Sequence, residues 1–390
     1  LHLSKSATAS NVSETTLMVN NTLSGLSYVG SNFPADEGFK NVLFNIDNTG
    51  SNHVLKPAGN DDWNMDSGSL IFGAGTYTAY NDGNNNWNVN DVNIATGGAL
   101  SLLSDSMTVA GDFTTSGGLI GKSAVKFDDG DSDASGFINC GSDSGIDNKF
   151  DGGGTIEAWI KPTTKGQHNS NGGMIASKVY WYMATRTDSG ASTCKLTFKQ
   201  FFDGDDSEWT STDHVIDYLK WNHVAVTYDN SAVGNDVTMY VNGKQVAVTR
   251  TQAATGTRNT DEGSSFCIGN YDVNDNVHFD GTIGMVRYFD DIRTQSELRA
   301  DMFNNYASMA STHLLLGMWQ FDEGTGTTVD NLGSLGANAD GAFTHGSVSG
   351  GWAGSGTFTQ GTSTLVMSGS SKTINFIDDE ELYNLTTSGT

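Results

Sequence analysis

Any chemistry in this sequence has to come from scattered carboxylates and aromatic rings, because the common nucleophile motifs are missing. There is no Gly-x-Ser-x-Gly to place a serine on a strand-to-helix elbow. Gly121-Lys122-Ser123 ends as a phosphate loop does, but Ser116 stands where the first glycine belongs, and the run continues into a strand pattern. His223 lies inside the run Trp221 to Tyr228 and reads as a strand residue with a satisfied hydrogen bond rather than a base. Hard cations take about six to eight oxygen ligands, which loops dense in Asp and Asn supply. Asp131-x-Asp133-x-Ser135-Gly136 copies the first half of an EF-hand loop, yet Ser142 replaces the bidentate Glu at its end and strands flank it. That excludes an EF-hand and leaves a simpler Asp-rich cation loop open. For sugars, the loop candidates are Trp181, Tyr182, Trp209 and Tyr271 as stacking rings, with Asp272, Asn274 and Asn276 as hydrogen-bonding partners. The competing reading of each ring is packing against a neighbouring loop or subunit.

The elements that would carry these residues are strands. The sequence holds 48 Gly and only 3 Pro. Gly, Asn and Asp tolerate the positive φ of tight turns, so many short strands are expected. Charged residues make up 17%, below the ~25% of an average domain, which argues against long solvated helices. The net charge of -25 repels a phosphate backbone and an anionic bilayer, so nucleic acid is not an expected partner. No run approaches the ~20 apolar residues of a membrane span, so no membrane insertion is expected. Cys140, Cys194 and Cys267 sit in apolar or β-rich surroundings and read as buried small hydrophobes, with a disulfide between two of them left open. With no initiator Met, the chain reads as an ordered or processed piece of something longer.

Three textures follow one another. Residues 1–121 are rich in Gly, Asn and Thr, with half-buried strand patterns at Trp87-x-Val89, Val92-x-Ile94, Leu100-x-Leu102 and Met107-x-Val109. Thr96-Gly97-Gly98 returns as Ser116-Gly117-Gly118, about 20 residues later, which fits either a β-solenoid or an irregular sandwich. Residues 122–345 form the second region: its core, 122–303, has longer strands and bulkier side chains, and 314–323 supplies a closing strand. Thr294-x-x-Glu297 is a capping box that starts one short helix, with Leu298, Met302 and Tyr306 on its apolar face. Residues 346–390 return to the first texture, so the middle region reads as an insertion.

The middle region resembles the laminin-G-like and pentraxin-like jelly rolls of the concanavalin A type. The resemblance rests on an ordered set of motifs over about 180 residues. It starts with Ala124-Val125-Lys126-Phe127-Asp128 and Thr155-Ile156-Glu157-Ala158-Trp159-Ile160-Lys161-Pro162. It continues through Trp221-Asn222-His223-Val224-Ala225-Val226-Thr227-Tyr228-Asp229, Met239-Tyr240-Val241-Asn242-Gly243 and Cys267-Ile268-Gly269-Asn270. It ends at Phe279-Asp280-Gly281-Thr282-Ile283-Gly284-Met285-Val286-Arg287-Tyr288, and Trp319-Gln320-Phe321-Asp322-Glu323-Gly324 follows the helix. The outer regions are similar, in style only, to β-repeat segments of phage and bacterial surface proteins.

The resemblance implies an all-β chain: a jelly-roll sandwich flanked by β-repeat layers. It also implies a structural calcium held by Asp322 and Asp330 with Asp128, although Gly284 stands where the family often has another Asp. The glucanase branch needs Glu-x-Asp-x-x-Glu on one strand, and none of the Glu residues here has Asp two positions on. The expectation is therefore a non-catalytic protein. Three settings fit: a virion structural protein (phage head decoration or tail fibre), a secreted bacterial adhesin, or the carbohydrate-binding module of a larger polysaccharide-degrading enzyme. The expected partners are its own copies, as a homo-oligomer of trimeric kind, other virion or cell-surface proteins, and polysaccharide. The expected location is the virion surface or the cell exterior.

Overall fold

The computed structural model describes residues 16–20, 27–30, 41–45, 52–57, 63–64, 69–73, 75–79, 87–95, 98–102, 106–115, 120, 123–127, 136–166, 172–186, 192–271, 277–309, 312–344, 351–352, 357–359, 364–368, 374–376 and 384–388. The chain divides into two compact units. One combines Leu1–Lys122 with Gly354–Thr390, and the other is Ser123–Ala353.

The first unit is a three-sided parallel β-solenoid, which decides between the two readings of the Gly-rich texture. Sheet A stacks Thr16–Asn20, Asn41–Asn45, Ser69–Phe72, Asp91–Ile94, Phe113–Thr115 and Ile374–Phe376. Sheet B stacks Ser27–Gly30, Asn52–Pro57, Gly75–Ala79, Gly98–Ser101 and Thr357–Thr359. Sheet C stacks Trp63–Asn64, Trp87–Val89, Ser106–Val109, Thr364–Ser368 and Asn384–Ser388. The chain visits A, B and C in turn. Trp87 aligns with Met107 and Val92 with Phe113, so these rungs take about 20 residues each.

Alternation explains why such polar strands still bury a core. Leu70, Val92 and Phe113 align along sheet A and face inward, as do Trp87, Met107 and Leu365 along sheet C. Phe44, Phe72 and Tyr77 stack inside the early rungs, with ring centroids 5.3–6.2 Å apart. The Tyr77 hydroxyl donates to the Phe44 carbonyl, 3.1 Å away, so the ring is buried without an orphaned polar atom. At one corner only glycine fits. A Cβ on Gly98 would lie 2.3 Å from the Gly73 carbonyl oxygen.

The second unit interrupts a single rung. After Phe113–Thr115 of sheet A the chain leaves, and it returns as Thr357–Thr359 of sheet B. Stacking then resumes: Thr357–Thr359 lies on Gly98–Ser101, Thr364–Ser368 on Ser106–Val109, and Ile374–Phe376 on Phe113–Thr115. An insertion of this kind needs its two ends side by side. They are: Val125–Phe127 and Gly351–Trp352 pair antiparallel, with Val125 opposite Trp352. The sandwich therefore runs past residue 345.

The inserted unit is two packed antiparallel sheets. Sheet D orders Lys244–Val246, Thr238–Val241, Asn222–Tyr228, Gly154–Pro162, Gly281–Phe289, Val125–Phe127 and Gly351–Trp352, and Leu315–Trp319 also pairs with Gly281–Phe289. Sheet E orders Val248–Gln252, Ser207–Ser211, Thr193–Gln200, Trp181–Arg186, Gly173–Lys178, Cys267–Ile268, Phe137–Asn139, Gly341–Thr344 and Thr328–Val329. Ile156, Ala158, Val224, Val226, Trp181 and Phe198 are among the inward side chains that form the core. All three cysteines are buried, and none of them is joined to another in a disulfide.

The helix Gln295–Asp301 carries the expected box: the Thr294 side chain accepts from the Glu297 N–H, and Glu297 accepts from the Thr294 N–H. Leu298 and Met302 are buried, but Tyr306 is 38% exposed and lies beyond the helix. The helix stops at Asp301, so the spacing-of-four stripe ends at Met302. Thr294→Ala is expected to cost about 1 kcal/mol of stability, read from the urea midpoint. An unchanged midpoint would count against the cap.

Candidate functional site

Strand parity sorts the expected sugar-binding rings into two groups. Trp181 and Trp209 are strand residues pointing into the sandwich core and fully buried. Their indole N–H groups are used internally: Trp181 Nε1 donates to Asp261 Oδ2 at 3.1 Å and Trp209 Nε1 to Asp236 Oδ1 at 2.8 Å. A ring with no exposed face cannot stack on a sugar, so the reading of these two as loop platforms is corrected. Both lie on strands rather than loops, and the core needs their volume.

Tyr182 and Tyr271 are on the other face of sheet E and do come together. With Phe201 they form an aromatic cluster over Met174, Ala184 and Val277. Tyr182 lies 6.1 Å from Phe201 and 6.5 Å from Tyr271, centroid to centroid. Tyr182 is buried beneath its neighbours, whereas Phe201 and Tyr271 keep partly exposed rings. The Tyr271 hydroxyl donates to the Val179 carbonyl, which fixes its ring. Asp272, Asn274 and Asn276 follow Tyr271 directly but lie outside the described residues.

Polar side chains surround the cluster. Lys199 Nζ sits 4.7 Å from the Phe201 ring centroid and 3.0 Å from Asp206 Oδ2, a cation over a π face held by a carboxylate. Glu208 accepts from Arg186 and, at 2.9 Å, from the Thr251 hydroxyl. Burial, reinforced by the Glu208 charge, pushes the Tyr182 phenol well up, so it stays neutral. Phe201 was missed in the sequence, although parity could have found it. Leu196 and Phe198 point inward, so Lys195, Thr197, Lys199 and Phe201 share the outer side.

The expected calcium ligands do not gather into a metal site among the described residues, where no group of three or more His, Cys, Asp or Glu side chains could hold an ion. Asp322 Oδ2 accepts from Gln320 Nε2 at 2.5 Å, and the Asp330 N–H donates to Glu323 Oε1 at 2.8 Å. Asp128 lies outside the described residues, as do Asp131 and Asp133. Burial, with Asp330 and Asp322 nearby, raises the Glu323 carboxyl.

A 450 Å³ cleft lies elsewhere, where the chain crosses from sheet D to sheet E through Ala247. Val215, Val241 and Val246 form its apolar lining beside Asp213 and Lys244. Asp213 is its single acidic lining residue among the described residues, whereas glycoside hydrolysis needs a carboxyl pair.

His223 lies on the strand Asn222–Tyr228 as expected, and its ring partner is a carboxylate rather than a well-formed hydrogen bond. Its ring is buried with no hydrogen bond to either nitrogen, and Nε2 lies 3.4 Å from Glu157 Oε2. Glu157 is paired with Arg287, 2.7 Å away, and Arg287 also donates to the carbonyls of Asp301 and Asn304. This buried set fastens the segment after the helix to sheet D. No helix among the described residues is long and apolar enough to cross a membrane, which leaves β-barrels untested.

Residues 122–299 match the sequence profile of the concanavalin A-like lectin/glucanases superfamily. No curated protein sequence matches the chain. Among solved structures, a candidate carbohydrate-binding protein from Bacteroides ovatus ATCC 8483 is 17% identical, with a TM-score of 0.38. That likeness covers 58% of this chain and 60% of the other, short of two thirds of its length. The CBM40 module of the Ruminococcus gnavus IT-sialidase, bound to α2,3-sialyllactose, is 13% identical, with a TM-score of 0.26 over 47% of this chain and 98% of that one. The receptor-binding domain of botulinum neurotoxin mosaic serotype C/D is 13% identical, with a TM-score of 0.30 over 46% and 41%. Together with the two-sheet architecture, the profile match makes the middle region of this chain a concanavalin A-like lectin/glucanase superfamily domain.

Proposed function

We propose that the protein is a non-catalytic structural component of a virion surface, in which a solenoid carries a lectin-like jelly roll that binds a glycan. The observation that carries this is the insertion within one rung: the solenoid's stacking continues through Gly98–Ser101 and Thr357–Thr359 as if nothing lay between. A carrier that tolerates a whole domain at a corner suits display. The glycan would lie on Phe201 and Tyr271, with Lys199 and Asp206 as hydrogen-bonding groups. That assignment fits the neighbours that bind sialyllactose or are described as carbohydrate-binding candidates.

The test is a glycan array probed with the whole chain and with Phe201→Ala and Tyr271→Ala. Each loss of a stacking ring is expected to weaken binding about tenfold, which corresponds to about 1.4 kcal/mol. Equal binding by both variants would remove the aromatic cluster from the site. Binding to no glycan at all would remove the lectin reading itself.

A further inference from the structure

The strongest unassigned chemistry lies at the opposite side of sheet E from the aromatic cluster. Lys178, at the end of the strand Gly173–Lys178, has a completely buried side chain. Its Nζ is 2.6 Å from Asp147 Oδ1 and 3.1 Å from Asp261 Oδ1. It also donates to the Ile146 carbonyl at 3.2 Å. Asp261 is 1% exposed and held from three sides: Trp181 Nε1 donates to its Oδ2, and the Asn148 N–H donates to Oδ1 at 2.7 Å beside Lys178. Phe150 packs edge-on against Trp181, and Tyr288 lies beside it, so the surroundings are aromatic.

One buried amine therefore faces two carboxyl groups, that of Asp261 buried and that of Asp147 at the rim, 11% exposed. As an ion pair this is a costly arrangement, since burial penalises every charge and one cation serves two anions. Once a proton has passed from the ammonium to a carboxylate, the amine and the acid in contact with it can condense. The reacting groups are already in contact, so the entropic cost of bringing them together has been met by folding.

We propose that Lys178 and Asp147 form an intramolecular isopeptide bond, with Asp261 as the catalytic proton carrier. The ammonium first gives one proton to the Asp147 carboxylate, leaving an amine and a carboxylic acid. The Nζ lone pair attacks Cγ of Asp147, and the C–N bond forms. Asp261 Oδ1 takes the second proton from the nitrogen and delivers it to the hydroxyl of the tetrahedral centre. The C–O bond breaks and water leaves. One amide and one water replace one ammonium and one carboxylate; Asp261 ends as it began, and neither oxidant nor cofactor is needed. The product ties the turn at residues 144–151 covalently to sheet E, an advantage for a domain exposed to proteases or pulling forces.

The test is the intact mass of the whole chain after denaturation, followed by tryptic mapping. The wild type is expected to be lighter than its sequence by one water. Trypsin should fail to cut after Lys178 and yield a branched peptide joining 127–149 to 166–186. Asp261→Asn, which keeps a hydrogen-bonding amide in place, should restore the full mass. Lys178→Arg should do the same and serves as the control lacking the nucleophile. A wild-type mass equal to the sequence, with normal cleavage after Lys178, would overturn the bond. A bonded Asp261→Asn variant would overturn the catalytic role. Neither result bears on glycan binding, because the two sites lie on opposite faces of the sheet.

Discussion

Arg287→Ala is expected to destabilise the jelly roll by about 3–5 kcal/mol, measured as the fall in its urea unfolding free energy. Arg287 is fully buried, and its removal leaves Glu157, 1% exposed, without its cation. It also releases the carbonyls of Asp301 and Asn304, so the segment following the helix loses its attachment. A double variant, Glu157→Leu with Arg287→Met, should recover most of the loss, because two apolar side chains leave no orphaned charge. The acid dependence supplies a second check. Burial alone would raise the Glu157 carboxyl, but Arg287 and His223 outweigh it and bring it from 4.5 down to about 2. A folded-state value below the unfolded one means stability that is fully present above about 4.5 and lost as pH falls toward 2. The variant lacks the cation that lowers this carboxyl, so the gap between wild type and Arg287→Ala should narrow over that acid range. A constant gap would show that Glu157 is not the partner that matters.

Removing Ser123–Ala353 and joining Lys122 to Gly354 through a short Gly/Ser linker should leave a folded solenoid. The ends of the insertion sit on adjacent antiparallel strands, only about 5 Å apart, so a few residues suffice to close the corner. The rungs above and below already match in register. In a solenoid each rung is stabilised chiefly by its nearest neighbours, which the deletion keeps. Circular dichroism should retain a β-sheet spectrum with one cooperative thermal transition, where the whole chain shows a second from the jelly roll. An unfolded deletion product would mean that the rungs depend on the inserted domain.

Much of the fold could be read in the sequence because its signals are local. The capping box at Thr294 and Glu297 needs only four residues, and Trp221 to Tyr228 announces a strand by alternation. The rungs were harder to read. Val42 aligns with Leu70 while Trp87 aligns with Met107, so the steps differ in length and a fixed repeat is not visible. The paired strands are also interrupted by a foreign domain, and no local pattern says that Leu100 lies beside Phe358.

The candidate site was read less well, for a reason visible at Trp181 and Tyr182. These neighbours have similar chemistry and point to opposite faces of one strand. Their roles depend on parity relative to Met183 and Ala184, which in turn follow from the sandwich. Lys178, Asp147 and Asp261 were silent for the same reason. They come from three separate stretches, and only the pairing of Cys267–Ile268 with Gly173–Lys178 helps bring two of those stretches together.

The interrupted rung also sets the order in which the protein can be completed as it leaves the ribosome. Gly98–Ser101, Ser106–Val109 and Phe113–Thr115 are made early, but the strands that cover them come only after Ser123–Ala353 has been synthesised. At about 5–20 residues per second, that interval is roughly ten to fifty seconds. During it, one edge of each sheet is open to pairing with another nascent chain. Fast, autonomous folding of the inserted domain would bring its two ends together and so shorten the search that closes the final rungs.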